Sequence, residues 1–210
     1  MGRYTGPACR LCRREGMKLF LKGARCYMAK CAIDQGHGAP GMHVARRRAR
    51  KMSEYGTQLR EKQRLRRQYG MQEVQFKRFF RESLRREGVT GELLLQMLEL
   101  RLDNLVYRLG FAASRRSARQ FVLHRHVAVN GRLANVPSII LKAGDVVEVR
   151  NQARSRDLAT RAIEAATTQQ TPGWLALDKK AFRGEVLAVP TREQIAPIVN
   201  EQAVVELYSR

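Results

Sequence analysis

Four cysteines and a long series of arginines and lysines are the side chains here whose types and spacing could do chemistry. Cys9 and Cys12 have two residues between them, Cys26 and Cys31 have four, and thirteen residues separate the pairs. Two short loops that each aim two sulfurs at one point, closed by a longer excursion, suit a tetrahedral ion held by four thiolates. Zn2+ is the expected ion, and an iron-sulfur cluster uses the same four ligands. Four free thiols in a reducing cytosol are the plain alternative, and a disulfide is disfavoured there.

The cations call for a different chemistry. The chain has 40 Lys and Arg against 19 Asp and Glu, a formal charge of +21, with a pI of about 11.0. Such an excess repels itself unless a polyanion neutralises it, and nucleic acid is the expected polyanion. The charge is concentrated early: residues 1 to 90 hold 23 basic and 7 acidic side chains, and residues 151 to 210 hold 8 and 7. A membrane surface is the competing polyanion. No apolar run reaches the roughly 18 residues of a spanning helix, and Met1-Gly2-Arg3 opens no signal-peptide pattern, so a cytoplasmic protein without a membrane partner is expected.

Three groups of cations stand out. Arg46, Arg47, Arg48, Arg50 and Lys51 form a run with no acidic neighbour. Such a run is often only a solvated face, but phosphate between its members relieves their repulsion. Arg60, Lys62, Arg64, Arg66 and Arg67 cover most of a helix expected over Ser53 to Gly70, whose apolar seam is only Tyr55, Leu59, Leu65 and Tyr69. That helix is expected to stay unburied and to lie along a phosphate backbone. The third group is Arg115, Arg116 and Arg119, expected in water on a helix that Ser114 caps and that turns Ala118, Phe121 and Val122 inward. Arg125 and the hairpin tip Asn130, Gly131 and Arg132 complete this second basic face. His37 and His43, in a stretch rich in Gly and Pro, are read as loop or RNA-contacting residues rather than ligands.

The positioning elements follow from periodicity. Val74, Phe76, Phe79, Phe80 and Leu84 mark the apolar positions of a helix over Met71 to Gly88. A third helix, capped by Thr90 and beginning near Glu92, is expected to run unbroken into the stripe Leu98, Leu102, Leu105, Val106 and Leu109, with Gly110 closing it in a left-handed conformation. Val127 and Val129, the Asn130-Gly131 turn and Val146 to Val149 read as strands. Ser155 to about Thr168 reads as a helix, Trp174 to Leu177 and Glu185 to Val189 as strands that extend the sheet, and Thr191 with Gln194 as a capping box. Residues 200 to 208 fit strand or helix, with Asn200 favouring a capped helix.

The fold class is therefore α+β: a helical N-terminal domain with a cysteine metal knuckle, then two helices packed on a small twisted, mostly antiparallel sheet. The expected divisions are 1–45 for the knuckle and basic loop, 46–96 for the basic helical domain with 198–210 packing nearby, and 97–197 for the second domain. No catalytic constellation or small-molecule site is apparent. Asp103 is expected to cap a helix or pair with Arg101.

The strings RLDNLVYRLGF, SRRSARQFV, VAVNGR and AGDVVEV resemble the RNA-binding domain named after ribosomal protein S-four. MGRYTGPACRLCRREG, SEYGTQLREKQRLRRQYG and NEQAVVELYSR extend the resemblance to nearly the whole chain, as the four-cysteine variety of the bacterial S-four family of the small ribosomal subunit. The resemblance implies a protein of the cytoplasmic ribosome that performs no reaction. Its expected role is to bind small-subunit rRNA at a multi-helix junction of the 5′ domain and to nucleate assembly of the subunit body. It also implies the neighbour S-five and other small-subunit proteins as partners, an influence on decoding accuracy, and a place beside the channel by which mRNA enters. The family's RNA-facing helix matches Arg115, Arg116 and Arg119, its hairpin Val129 to Arg132, its mRNA-side basic run Arg46, Arg47, Arg48 and Arg50, and its knuckle the four cysteines.

The chain departs from the family at Ala39 to Val44, where Pro-Pro-Gly-Gln-His-Gly is usual, and at Ala203, where a larger aliphatic is usual. An RNA-modifying enzyme carrying the same domain would need a further catalytic domain. A zinc-knuckle nucleic-acid-binding regulator outside the ribosome is the remaining alternative.

Overall fold

The computed structural model describes residues 2–41, 52–165, 170–195 and 199–209. It divides into two compact units, Met1–Leu94 with Pro197–Arg210, and Leu95–Ala196.

In the first unit, helix α1 (Ala8–Glu15) ends at Gly16, which takes a left-handed φ of 70°. It buries Cys12 with Ala8, Leu19 and Leu21 in a small cluster, and a 3-10 turn at Gly23–Cys26 follows. Helix α2 (Glu54–Gln68) starts where the Ser53 side chain accepts the Gly56 N–H at 3.2 Å. Helix α3 (Glu73–Leu84) buries Phe76, Phe79 and Phe80. Helix α8 (Glu201–Ser209), capped by Asn200 accepting from Gln202 N–H at 3.0 Å, lies along α2. Residues 201 to 209 are thus helical, as the cap at Asn200 predicts. Tyr208 of α8 reaches over to α3, with its ring 4.6 Å from that of Phe80 and its hydroxyl donating to Glu73 at 2.8 Å.

Three expectations fail in this unit. Val74 is 84 % exposed and Leu84 54 %. The three phenylalanines fix the helical phase, and Val74 sits two positions before Phe76, about 200° around the helix. Tyr55 is also exposed rather than part of a seam. Most consequentially, α2 is not an unburied helix. Gln58, Lys62, Leu65 and Gln68 form its buried stripe, and Gln58 donates to Glu206 of α8 at 2.9 Å. That bond to α8 is polar, a pairing that composition alone disguises.

In the second unit the expected unbroken helix is two. Helix α4 (Thr90–Glu99), within which the division between the units falls, stops before Leu100, and α5 (Leu102–Arg108) restarts after it. Arg101 between them is extended, with ψ 138°, and bridges to Ile140. The physical reason is pairing with residues 137–141: Leu141 N–H donates to Leu100 O at 2.9 Å and Leu102 N–H to Ile139 O at 2.8 Å. Those bonds satisfy groups that a continuous helix would have kept to itself.

Gly110 closes α5 at φ 79°, and Ser114 caps α6 (Arg115–Leu123) by accepting the Ser117 N–H at 3.2 Å. Strands β1 (Val127–Val129), β2 (Arg132–Ala134) and β3 (Val146–Val149) precede α7 (Ala153–Ala165), and β4 (Leu175–Asp178) and β5 (Arg183–Val186) follow it. They make one antiparallel sheet in the order β2-β1-β3-β5-β4. Asn130 and Gly131, at φ 48° and 77°, form the two-residue turn between β1 and β2, the pair of positive φ values that the primed hairpin turn requires. Leu102, Leu105 and Val106 of α5 and Leu109 at its C-cap are fully buried with Val127, Val147, Val186 and Trp174 in the main core. Each such aliphatic side chain contributes about 1.5–3 kcal/mol of burial.

Candidate nucleic-acid interface

The cations of α2 are spent largely inside the protein. Glu15 of α1, whose carboxylate is fully buried, meets Arg60 at 3.3 Å, Arg64 at 3.8 Å and, most closely, Arg67. Lys62, with 8 % of its side chain exposed, donates to Glu73 at 2.7 Å. Arg66 donates to Met71 O at 3.2 Å and lies 3.5 Å from Glu73. Burial lowers the Arg60 pKa, partly offset by Glu15. The five positions thus bind α2 to α1 and α3; Lys62 is buried, and the four arginines keep only half-exposed faces for an outside anion.

Sequence reasoning passed over α3. Lys77, Arg78, Arg81 and Arg85 are all exposed. At 100° per residue they fall within about a quarter-turn of the helix, around the exposed Val74 and opposite the three phenylalanines. The signal was available: the spacing that sends Phe76, Phe79 and Phe80 inward sends these four outward. Among the described residues no carboxylate forms an ion pair with them.

In the second unit the α6 arginines do not stand freely in water. Arg115 Nε donates to Asn104 Oδ1 at 2.8 Å, and its guanidinium sits 4.7 Å above the Tyr107 ring. Arg119 lies 3.7 Å from Asp103 with 11 % of its side chain exposed, and Arg116 is half-buried. Asp103 itself accepts a two-pronged bond from Arg101 at 3.0 and 2.7 Å, the partnership its sequence neighbourhood predicts. Asn104 also donates to Glu99, which receives Arg108 at 2.6 Å. The network orients the arginines of α6 instead of leaving them loose.

The hairpin residues separate by role. The Asn130 amide is used within the fold, accepting from Val146 N–H and donating to Asp145, both at 2.8 Å. Gly131 supplies the positive φ, and Arg132 is exposed beside it. Arg125 is exposed with a left-handed φ of 61°. The run Arg46, Arg47, Arg48, Arg50 and Lys51, together with His43, lies outside the described residues. His37 is exposed.

Cys12, Cys26 and Cys31 are buried and Cys9 half-buried, and all four are free thiols. Burial pushes the Cys12 and Cys26 thiols up, opposed by backbone N–H bonds to each sulfur and reinforced by the neighbouring cysteines. One of those bonds is Lys22 N–H to Cys26 Sγ at 3.3 Å. Among the described residues no three His, Cys, Asp or Glu side chains are grouped so as to hold a metal ion. The donor set nonetheless has the chemistry of a thiolate site, and the four sulfurs are close enough to influence one another's ionisation.

Residues 3–99 match the family described as Ribosomal protein S4/S9 N-terminal domain, and residues 100–147 match the S4 domain. The chain is 55 % identical to "Small ribosomal subunit protein uS4A" of Symbiobacterium thermophilum and 53 % identical to uS4 of Heliobacterium modesticaldum. It is 56 % identical to uS4 of Natranaerobius thermophilus. Each comparison runs over 210 residues and covers the whole of both chains.

Proposed function

The chain belongs to the uS4 family of small ribosomal subunit proteins, and on that premise we propose that it grips a multi-helix junction in the 5′ domain of small-subunit rRNA and nucleates assembly of the subunit body. It works as a structural part of the cytoplasmic ribosome and not as an enzyme. The observation that carries the binding mode is the division of its cations. Those of α2 are largely neutralised by Glu15 and Glu73, whereas Lys77, Arg78, Arg81 and Arg85 of α3, with Arg125 and Arg132, stay exposed.

Exposed cations supply affinity by releasing condensed counterions from phosphate. The α6 arginines, held by Asp103 and Asn104, favour a fixed spatial pattern of phosphates over a plain duplex, because RNA is read chiefly by shape. S-five and other small-subunit proteins are the proposed neighbours, with an influence on decoding accuracy. The run Arg46 to Lys51 is proposed to lie by the channel that admits mRNA. These partner assignments rest on family membership.

Cys9, Cys12, Cys26 and Cys31 are proposed to hold one Zn2+, with an iron-sulfur cluster as the alternative for the same thiolates. A bound zinc would order the first thirty or so residues and supply no reaction chemistry.

The test is a titration of the intact chain with junction RNA and with a plain duplex over a range of salt. If about ten cations displace counterions, log K should fall against log salt with a slope on the order of −7 to −9. Equal affinity for both RNAs would sink the junction assignment.

A further inference from the structure

The loop that joins the first cysteine pair to the second carries two aromatic rings that water can reach. Leu19 and Leu21 are buried in the small cluster with Ala8 and Cys12. Phe20 between them is only half-buried, in a left-handed backbone conformation at φ 51°. Bulky side chains rarely take that conformation, and Gly or Asn meets it with less strain. Tyr27, just past the 3-10 turn Gly23–Cys26, brings its ring centroid to 5.2 Å from that of Phe20, tilted by 32°, and is 49 % exposed. Turns hold the two in place: Lys22 N–H donates to Cys26 Sγ at 3.3 Å, and Tyr27 N–H donates to Ala24 O at 3.0 Å.

The charge along this loop has one sign. Residues 16–33 contain Lys18, Lys22, Arg25 and Lys30 and no acidic residue. Lys18 is joined to Asp34 at 2.6 Å. Lys22, Arg25 and Lys30, each within three residues of one of the two rings, are exposed and form no ion pair among the described residues.

We propose that Phe20 and Tyr27 form a stacking platform for one unpaired base of the bound RNA, with the flanking phosphates at Lys22, Arg25 and Lys30. The inference rests on the RNA-binding reading above and adds to it a contact on the cysteine lobe, where that reading places only a structural metal. Three observations converge. An exposed aromatic ring takes any base by its flat face, and folded RNA offers unpaired bases for such stacking. Cations with no acidic neighbour in the loop select a polyanion over an apolar or basic surface. Packing of the small cluster is met by Leu19 and Leu21, and it gives no reason to set an aromatic between them where the backbone favours glycine.

The test compares the intact chain with Tyr27→Leu, which keeps apolar bulk and loses the aromatic face, and with Tyr27→Phe, which keeps the face. Each is first matched to the parent in circular dichroism, melting midpoint and metal content. Tyr27→Leu should bind junction RNA roughly tenfold more weakly, with the slope of log K on log salt unchanged, and Tyr27→Phe should bind as the parent does. Arg25→Ala, a phosphate contact, should instead shallow that slope by about 0.7–0.9.

Parent-like affinity in Tyr27→Leu overturns the proposal and leaves the patch to a protein neighbour. An equal loss in Tyr27→Phe also overturns it, because the hydroxyl and not the ring face would then carry the contact. Titration of the 15N-labelled parent with hexauridylate and hexaadenylate needs no variant. Amide shifts within residues 20–30 are expected with both, and shifts confined to other surfaces overturn the site. If the parent fails to distinguish junction RNA from duplex, the wider reading falls, while the oligonucleotide titration still decides the platform.

Discussion

Arg119 Nη1 lies 3.7 Å from Asp103 Oδ2, on a carboxylate that Arg101 already holds through two bonds. One acid thus fixes a wholly buried arginine and an arginine of the proposed RNA face. Asp103→Asn would take from the Arg101 guanidinium, 1 % exposed, the charge that Asp103 supplies, and breaking a buried pair in this way costs about 3–5 kcal/mol. A urea melt should show the midpoint fall with little change in slope. Arg115→Ala removes an oriented cation without stranding a buried acid. It should weaken junction RNA more than duplex RNA, and equal losses in filter binding would count against the α6 assignment.

The face of α3 predicts a separation of stability from binding. Lys77→Ala and Arg81→Ala touch exposed side chains, so melting should shift by less than about 0.5 kcal/mol. Each should shallow the salt dependence of rRNA binding by about 0.7–0.9. Lys62→Ala on α2 is the converse: it removes a buried partner of Glu73 and should cost roughly 1 to 3 kcal/mol of stability. If the α3 variants leave the salt slope untouched, their cations meet only water.

Glu73 gives the first unit a dependence on acid. Burial alone would raise its pKa, but hydrogen bonds from Lys62 and Tyr208 and the charges of Lys62 and Arg66 outweigh burial and lower it. A carboxyl depressed by folding stabilises above its unfolded pKa, and that contribution is lost as pH falls through the lower folded value. Midpoints measured from pH 6 down to 3 should decline less steeply for Glu73→Gln than for the parent. Tyr208 is displaced upward, first by burial and then by its bond to Glu73. Its contribution is present below the unfolded tyrosine pKa and fades at higher pH, so absorbance at 295 nm should show it among the last tyrosines to ionise. Parallel acid profiles for parent and Glu73→Gln would contradict the bond's role.

The cysteine site predicts one zinc per chain in protein purified without chelator, and cobalt substitution should give the strong sulfur-to-metal absorption of a tetrathiolate. Burial raises the Cys12 and Cys26 pKa, and a metal binds the thiolate, so metal must displace thiol protons and retention should weaken as pH falls. Cys12→Ser should lose the metal. Elemental analysis that finds neither zinc nor iron would end the proposal.

What could be read from the sequence was mostly local. Ser53, Ser114, Gly110 and Asn130-Gly131 announce their caps and turns because each acts within four residues of itself, and the α5 stripe declares its buried face by period alone. What escaped was decided at a distance. Lys62 looks like any surface lysine until Glu73 and Tyr208 close over it. The break at Arg101 follows from pairing with residues 137–141, which no helical pattern encodes. Of the site, Arg125 and Arg132 stand exposed as expected and Asn130 turned out to serve the hairpin. The α3 cations share one face only once the burial of Phe76, Phe79 and Phe80 has set the phase of the helix.

Glu15 has a practical corollary. Concentrated salt screens charges that water can reach and leaves enclosed ones nearly untouched. The fastening of α1 to α2 through Arg60, Arg64 and Arg67 is closed around a carboxylate with no solvent exposure. Brine strong enough to strip RNA from the outer face should therefore release a protein whose first helix is still in place.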